Sequence, residues 1–223
     1  MNTDQLYDLF LKCNGVSTDT RSIKKGSLFF SLKGENFDGN DYALEAINKG
    51  AKYAVIDNNK LENPNFIKVN NVLKSLQSLS GYHRIKLKNT TIIALTGSNG
   101  KTTTKELIHS VLSKKYKTVS TLGNLNNHIG VPLTLLNIKK DSNFAVIEMG
   151  ANHIGEIAFL TDLVKPDYGY ITNFGKAHLE GFGGIKGVIK GKTELYNWLM
   201  EHHKPILINS DDEIQKKFTN SQS

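Results

Sequence analysis

The run Thr96-Gly97-Ser98-Asn99-Gly100-Lys101-Thr102-Thr103 constrains this chain more than any other stretch. It directly follows an apolar segment, 91–95, and opens a helix-like stretch, 101–115, so it sits at a strand-to-helix turn. Glycines let the backbone turn and point its N–H groups inward, and the start of a helix favours anions. Lys101 is placed to meet β- and γ-phosphates, and the Thr102 hydroxyl suits magnesium. A strict P-loop carries a glycine five positions before Gly100, where this chain has Leu95; the Gly-Lys-Thr core is kept. The loop predicts an α/β domain that binds a nucleoside triphosphate. By itself it does not specify a reaction.

The flanking pattern supports that class. Strand-like segments at 91–96, 118–121, 144–148, 168–172 and 206–209 alternate with helical stretches around 101–115, 154–163 and 187–200. Apolar strands separated by helices predict a mainly parallel sheet covered on both faces, with ligands beyond the carboxyl ends of the strands. Before residue 86 the elements are shorter. Leu6, Leu9 and Phe10 mark one helix face, and strands are expected at 28–32, 53–56 and 66–69. A helix is expected at 42–49, and Val72, Leu73, Leu76 and Leu79 mark another amphipathic one. The expected organisation is therefore α/β throughout: a small mixed α/β domain over 1–85, a polar linker at 86–90, and a P-loop domain over 91–223.

Other strand ends carry candidate ligands. Glu148 closes the apolar strand 144–147 and is placed to hold Mg²⁺ beside Thr102, against the reading of an ordinary exposed carboxylate. His178 follows the next strand within Asn173-Phe174-Gly175-Lys176-Ala177-His178, where a metal or phosphate role competes with a plain surface or core histidine. Two asparagine-rich stretches, 123–132 with Asn126 and Asn127, and 150–156, read either as turns or as hydrogen-bonding walls for a polar substrate. Lys192, on a helix, reads from its neighbours alone as a solvated lysine.

Charge and cysteine usage narrow the partners. The net charge of +7 comes from 28 basic and 21 acidic residues, mostly scattered lysine without arginine-rich runs or interleaved aromatics. A small polyanionic ligand fits this better than nucleic acid, so no nucleic-acid partner is expected. Cys13 is the only cysteine, which rules out an internal disulfide and suits a reducing cytoplasm. No apolar run approaches membrane-spanning length, and the first residues lack the layout of a signal peptide, so no membrane insertion is expected.

Taken in order, the loop 96–103, the run 123–132, Glu148-Met-Gly-Ala-Asn-His-Ile-Gly-Glu156 and Ile171-Thr-Asn-Phe-Gly-Lys-Ala-His-Leu-Glu-Gly-Phe-Gly183 resemble the Mur ligases, and among them the MurF type. Ser17-Thr-Asp-Thr-Arg21, with the runs 26–34 and 37–41, resembles that family's uridine-binding domain. The resemblance implies ATP-dependent ligation of D-alanyl-D-alanine to UDP-N-acetylmuramoyl-tripeptide through an acyl phosphate, in bacterial cytoplasmic synthesis of the peptidoglycan precursor. It implies ATP binding by Gly97, Ser98, Asn99, Gly100, Lys101, Thr102 and Thr103, and catalytic parts for Lys101, His178 and Lys192. One Mg²⁺ would be held by Thr102 and Glu148, and a second supported by His178. Lys192 aligns with a lysine that the family carries as a carbamate, a further magnesium ligand; Lys190 competes for that place, and the following Glu194-Leu195 favours Lys192. Thr20 and Arg21 are implied for the uridine diphosphate, and Asn126 and Asn127 for the muramoyl-peptide side.

The family pattern continues beyond residue 223 with more of the central sheet and a third domain. The resemblance therefore implies an incomplete central domain, an absent C-terminal domain, weak or absent ligase activity in the chain alone, and room for a complementary C-terminal chain. A non-catalytic nucleotide or UDP-sugar-peptide binding fragment, or half of a split ligase, is the main alternative. A different P-loop enzyme such as a kinase would not need the Ser17–Arg21 module or the Ala177–Glu180 run. A nucleic-acid-binding ATPase comes last.

Overall fold

Buried apolar segments build two separate parallel sheets in the computed structural model, which describes residues 1–221; the last two residues of the closing polar run, Gln222 and Ser223, lie outside the described residues. The chain divides into one unit of Met1–Lys86 with Leu135–Asn137 and another of Leu87–Thr134 with Ile138–Ser223.

In the first unit, helix α1 (Thr3–Phe10) opens with a capping box in which Asn2 and Gln5 satisfy each other's backbone N–H groups. It buries Leu6, Tyr7 and Phe10, and the Tyr7 hydroxyl meets His83 Nδ1 at 3.2 Å on helix α3 (Val72–Lys86). Between them lie β1 (Val16–Ser17), β2 (Leu28–Phe30), the antiparallel pair β3 (Lys33–Gly34) and β4 (Phe37–Asp38), helix α2 (Ala43–Asn48), β5 (Tyr53–Ile56) and β6 (Phe66–Lys68). The main sheet runs β1-β2-β5-β6, all parallel. One layer of its core gathers Phe29, Ala43, Ala46, Ala54 and Ile56.

The second unit holds β7 (Thr91–Thr96), α4 (Lys101–Leu112), β8 (Thr118–Ser120), α5 (Gly130–Leu136, its last two residues counted with the first unit), β9 (Phe144–Glu148), α6 (Glu156–Val164), β10 (Tyr168–Ile171), the single turn α7 (Leu179–Phe182), α8 (Ile185–Glu201) and β11 (Ile206–Leu207). The parallel order is β11-β10-β7-β9-β8. β7 is central because Ile92, Ala94 and Leu95 are buried, as a strand covered on both faces requires. That order brings the carboxyl ends of β9 and β10 to either side of the loop that leaves β7. Asp167 steadies the start of β7, accepting from Ile92 N at 3.0 Å while Lys204 bonds its other oxygen at 3.1 Å.

The expected strands and helices recur: β5, β7 and β9 have the expected bounds, α8 is longer at both ends, α4 is shorter, and β11 is two residues where four were expected. The additions are β1, the β3–β4 pair, α5 and α7. Two-residue strands carry no readable alternation. α5 was hidden because Asn127, Gly130 and Pro132 read as turn residues. Asn127 Oδ1 in fact caps the helix, accepting from Ile129 N and Gly130 N, and Pro132 falls in the first turn, where a missing N–H costs nothing. In the stretch 86–90, Lys86 ends α3, Leu87 and Thr90 are buried, and Thr90 Oγ1 donates to Ser142 O at 2.8 Å. Among the described residues no helix is long and apolar enough to cross a membrane.

Candidate active site

The loop leaving β7 depends on two glycines in left-handed backbone. Gly97 has φ +149°, and a Cβ there would meet Thr172 Oγ1 at 1.9 Å; Gly100 has φ +74° and open space where a Cβ would stand. The end of β10 then ties the loop down. Ser98 N donates to Asn173 O at 3.1 Å, Ser98 Oγ to Gly175 O at 2.9 Å, and Asn99 N to Asn173 Oδ1 at 3.1 Å. Thr172 Oγ1 and Asn173 Nδ2 both donate to Asn99 O, at 2.6 and 3.0 Å. A phosphate-sized cradle is thus fixed by side chains from a neighbouring strand rather than by its own glycines alone.

Lys101 and Thr102 begin α4 and face in different directions. Lys101 Nζ donates to Gly97 O at 2.9 Å and Ser98 O at 3.2 Å; burial pushes its pKa down, opposed by the negative charge of Glu148. The Thr102 hydroxyl donates to Glu148 Oε2 at 3.0 Å, and Asn126 Nδ2 donates to Glu148 Oε1 at 2.8 Å. Glu148 is 2% exposed at the end of β9. Thr103 lies exposed in the first turn of α4. A hydroxyl and a carboxylate sharing one hydrogen bond are hard oxygens of the kind Mg²⁺ takes. Among the described residues no group of three His, Cys, Asp or Glu side chains gathers to hold a metal. The set present fits an ion that completes its shell with phosphate oxygens and water, as Mg²⁺ commonly does.

A cavity of about 660 Å³ opens beside this pair, lined among others by Lys101, Asn126, Asn127, His178 and Lys192. Lys192, on α8, is 2% exposed, its ammonium 5.4 Å from the Phe182 ring centre, with no hydrogen bond or ion pair among the described residues. Burial first, and the charge of Lys101 second, push its pKa down to about 8. Lys190 is exposed and does not line the cavity. His178 does line it, exposed at φ +53° just before α7. Asn126 spends an amide hydrogen on Glu148, and Asn127 its oxygen on the cap of α5.

Thr20 and Arg21 lie in the first unit, in the short turn Thr20–Ser22 after β1. Arg21 is exposed and forked onto Asp19 at 3.0 and 2.7 Å, and these bonds bring the Asp19 carboxyl down to about 2. The structure also assigns a structural part to a residue that served above only to mark Lys192. Glu194, two positions after Lys192, accepts from Gly155 N at 2.7 Å and Ala158 N at 2.9 Å. It thereby caps α6 at the end of a turn in which Gly150, Ala151, Asn152, Ile154 and Gly155 wall the cavity and Glu156 holds Asn152 N and His153 N. Only its spacing from Lys192 could have flagged it.

Comparison with known proteins places this arrangement. Residues 95–223 match the family described as Mur ligase middle domain, and residues 12–88 match Mur ligase family, catalytic domain. The UDP-N-acetylmuramoyl-tripeptide–D-alanyl-D-alanine ligase of Bacillus subtilis is 40% identical over 209 residues, covering 92% of this chain and 46% of the relative. A crystal structure of MurF from Acinetobacter baumannii superposes with a TM-score of 0.83 at 32% identity, covering 99% of this chain and 51% of that one. MurF ligase from Thermotoga maritima in complex with ADP gives 0.81 at 30% identity, covering 96% and 49%. The chain spans about half the length of the curated relatives it matches.

Proposed function

This chain belongs to the Mur ligase family, and from that premise we propose that it carries the nucleotide and metal half of a ligase joining D-alanyl-D-alanine to UDP-N-acetylmuramoyl-tripeptide in bacterial cytoplasmic peptidoglycan synthesis. The observation that carries this reading is that Lys101, the buried amine of Lys192 and Asn126 line one cavity, Asn126 holding the Glu148 carboxylate that Thr102 also meets. The ADP in the Thermotoga maritima relative supports a nucleotide at this loop.

In this reading the loop N–H groups from Gly97 to Thr103 cradle the phosphates of ATP, and Lys101 swings from its two carbonyls onto a phosphate oxygen. Thr102 and Glu148 hold Mg²⁺, which when bound neutralises charge on the transferring phosphoryl group. Lys192, whose pKa burial lowers to about 8, yields its free amine more readily than an ordinary lysine and is suited to add to CO₂. The ammonium gives up one proton, the amine nitrogen bonds carbon as a C–O π bond opens, a second proton leaves the nitrogen, and a cation becomes an anionic oxygen ligand. With His178 across the cavity, that carbamate would support a second Mg²⁺. Asn126 and Asn127 would edge the muramoyl-peptide, and Thr20 and Arg21 the uridine diphosphate, in an N-terminal substrate domain over 1–85 joined by 86–90 to the ATP-binding domain from 91 onward.

A second reading, a unit that binds nucleotide without turning it over, shares the same loop and cavity. Phosphate release from ATP by the 223-residue chain distinguishes them, measured with Mg²⁺, bicarbonate, UDP-N-acetylmuramoyl-tripeptide and D-alanyl-D-alanine, beside ADP binding. ADP binding weakened about tenfold or more by Lys101→Ala is expected in either case. Release that requires both substrates marks a working ligase; binding without release marks the half-site. Absence of nucleotide binding overturns the proposal.

A further inference from the structure

The end of β8 breaks its ladder in an informative way. Ser120 is paired with Val146, and one residue on, Thr121 N donates to Val146 O at 3.1 Å. In a regular parallel pair the next bond would run from Glu148 N to the Thr121 carbonyl. Here that carbonyl accepts instead from Lys105 Nζ at 2.6 Å, and Glu148 N turns to the Thr121 hydroxyl at 3.0 Å. The Lys105 side chain is 0% exposed, and its ammonium also pairs with Glu106 at 2.9 Å. A buried ammonium requires acceptors, so it takes the strand's carbonyl and the hydroxyl stands in for what it removed.

The substitution has consequences at both ends of Glu148. Its amide is held by Thr121 Oγ1, while its carboxylate is held by Thr102 and Asn126. With its carbonyl diverted, Thr121 leaves the sheet toward Gly123–Asn126, and Asn126 returns with its own carbonyl accepting from Gly150 N at 2.8 Å. Lys105 also lies one helical turn from Lys101 and Thr102, so α4 links the phosphate cradle to the carboxylate.

We propose that Lys105 and Thr121 form a buried positioning pair that sets the Mg²⁺ affinity of Glu148 without touching the ion. The proposal rests on the reading of Glu148 as a magnesium ligand, and its test separates the two. ADP binding to the 223-residue chain is titrated against Mg²⁺ for the parent, Thr121→Val, Thr121→Ser, Lys105→Met and Glu148→Gln. Thr121→Val keeps the shape and loses the hydroxyl that accepts from Glu148 N, so it decides the matter even if Lys105→Met fails to fold. Expected is a rise of about tenfold or more in the Mg²⁺ needed for half-saturation in Thr121→Val, the range typical of outer-shell partners of a metal. Binding in EDTA should be unchanged, and Thr121→Ser should stay near the parent. Parental Mg²⁺ dependence in Thr121→Val, with Glu148→Gln shifted, overturns the positioning role and leaves the ligand reading intact. A Glu148→Gln variant with parental dependence, or a parent whose ADP binding ignores Mg²⁺, overturns the ligand reading and the positioning role with it.

Discussion

Lys192 combines deep burial with a charge that nothing among the described residues pairs. Its pKa stands at about 8 against an ordinary 10.5, so between those values the unfolded chain holds the extra proton and stability rises with pH. Below pH 8 both states are protonated and the cost of the buried ammonium is present in full. Lys192→Met should therefore stabilise the protein at pH 7 by about 1 kcal/mol, a gain that shrinks toward pH 10 in paired urea titrations. Bicarbonate should raise the melting temperature of the parent and leave that of the variant unmoved. Gly97→Ala is expected to act oppositely. A methyl 1.9 Å from Thr172 Oγ1, at φ +149°, should cost about 2–4 kcal/mol by denaturant titration and abolish measurable ADP binding. The meeting of Thr102 with Glu148 beside Lys101 was legible in the sequence because residue type and position at a strand end together point to it. Lys192 was legible only through the family resemblance: a helical lysine that faces Phe182 and a cavity has the same neighbours in sequence as one that faces water. Lys105 and Thr121 were invisible for the same reason, since the exchange of acceptors between them exists only once β8 lies against β9 and α4.

Among the elements, α6 owes its start to a side chain from α8. Glu194 meets Gly155 N and Ala158 N where helix N–H groups lack intrahelical partners and a negative charge is favoured. Glu194→Ala should cost about 1–2 kcal/mol in urea, and amide exchange should speed up across Gly150–Gly155 more than in β7 or β9. Glu194→Gln, which keeps one acceptor oxygen, should lose less. The strands that build the second sheet could be read from their apolar runs, because a parallel strand buried on both faces has little other composition available to it. What escaped were pieces whose ends are set by capping or by partners distant in sequence. α5 begins where Asn127 caps it, and β11 stops where Gln215, fully buried, accepts from Asn209 N and donates to Ile171 O.

At the scale of the whole molecule, an excess of seven positive charges would attract the polyanionic nucleotide proposed above. Raising KCl from about 50 to about 300 mM should weaken ADP binding roughly three- to tenfold by calorimetry, because scattered surface lysines are screened within a Debye length. The part of binding that survives high salt should come from the loop itself, where the charges are half-buried. There the contact of Lys101 with the carbonyls of Gly97 and Ser98 has a consequence for selectivity. An anion enters by exchange, since every oxygen it offers the ammonium must outdo two that the loop already supplies. A lone phosphate or sulfate brings little beyond what it displaces. A polyphosphate chain would span the loop N–H groups and the ammonium together, so the loop should discriminate against abundant small anions by being well bonded before any of them arrives.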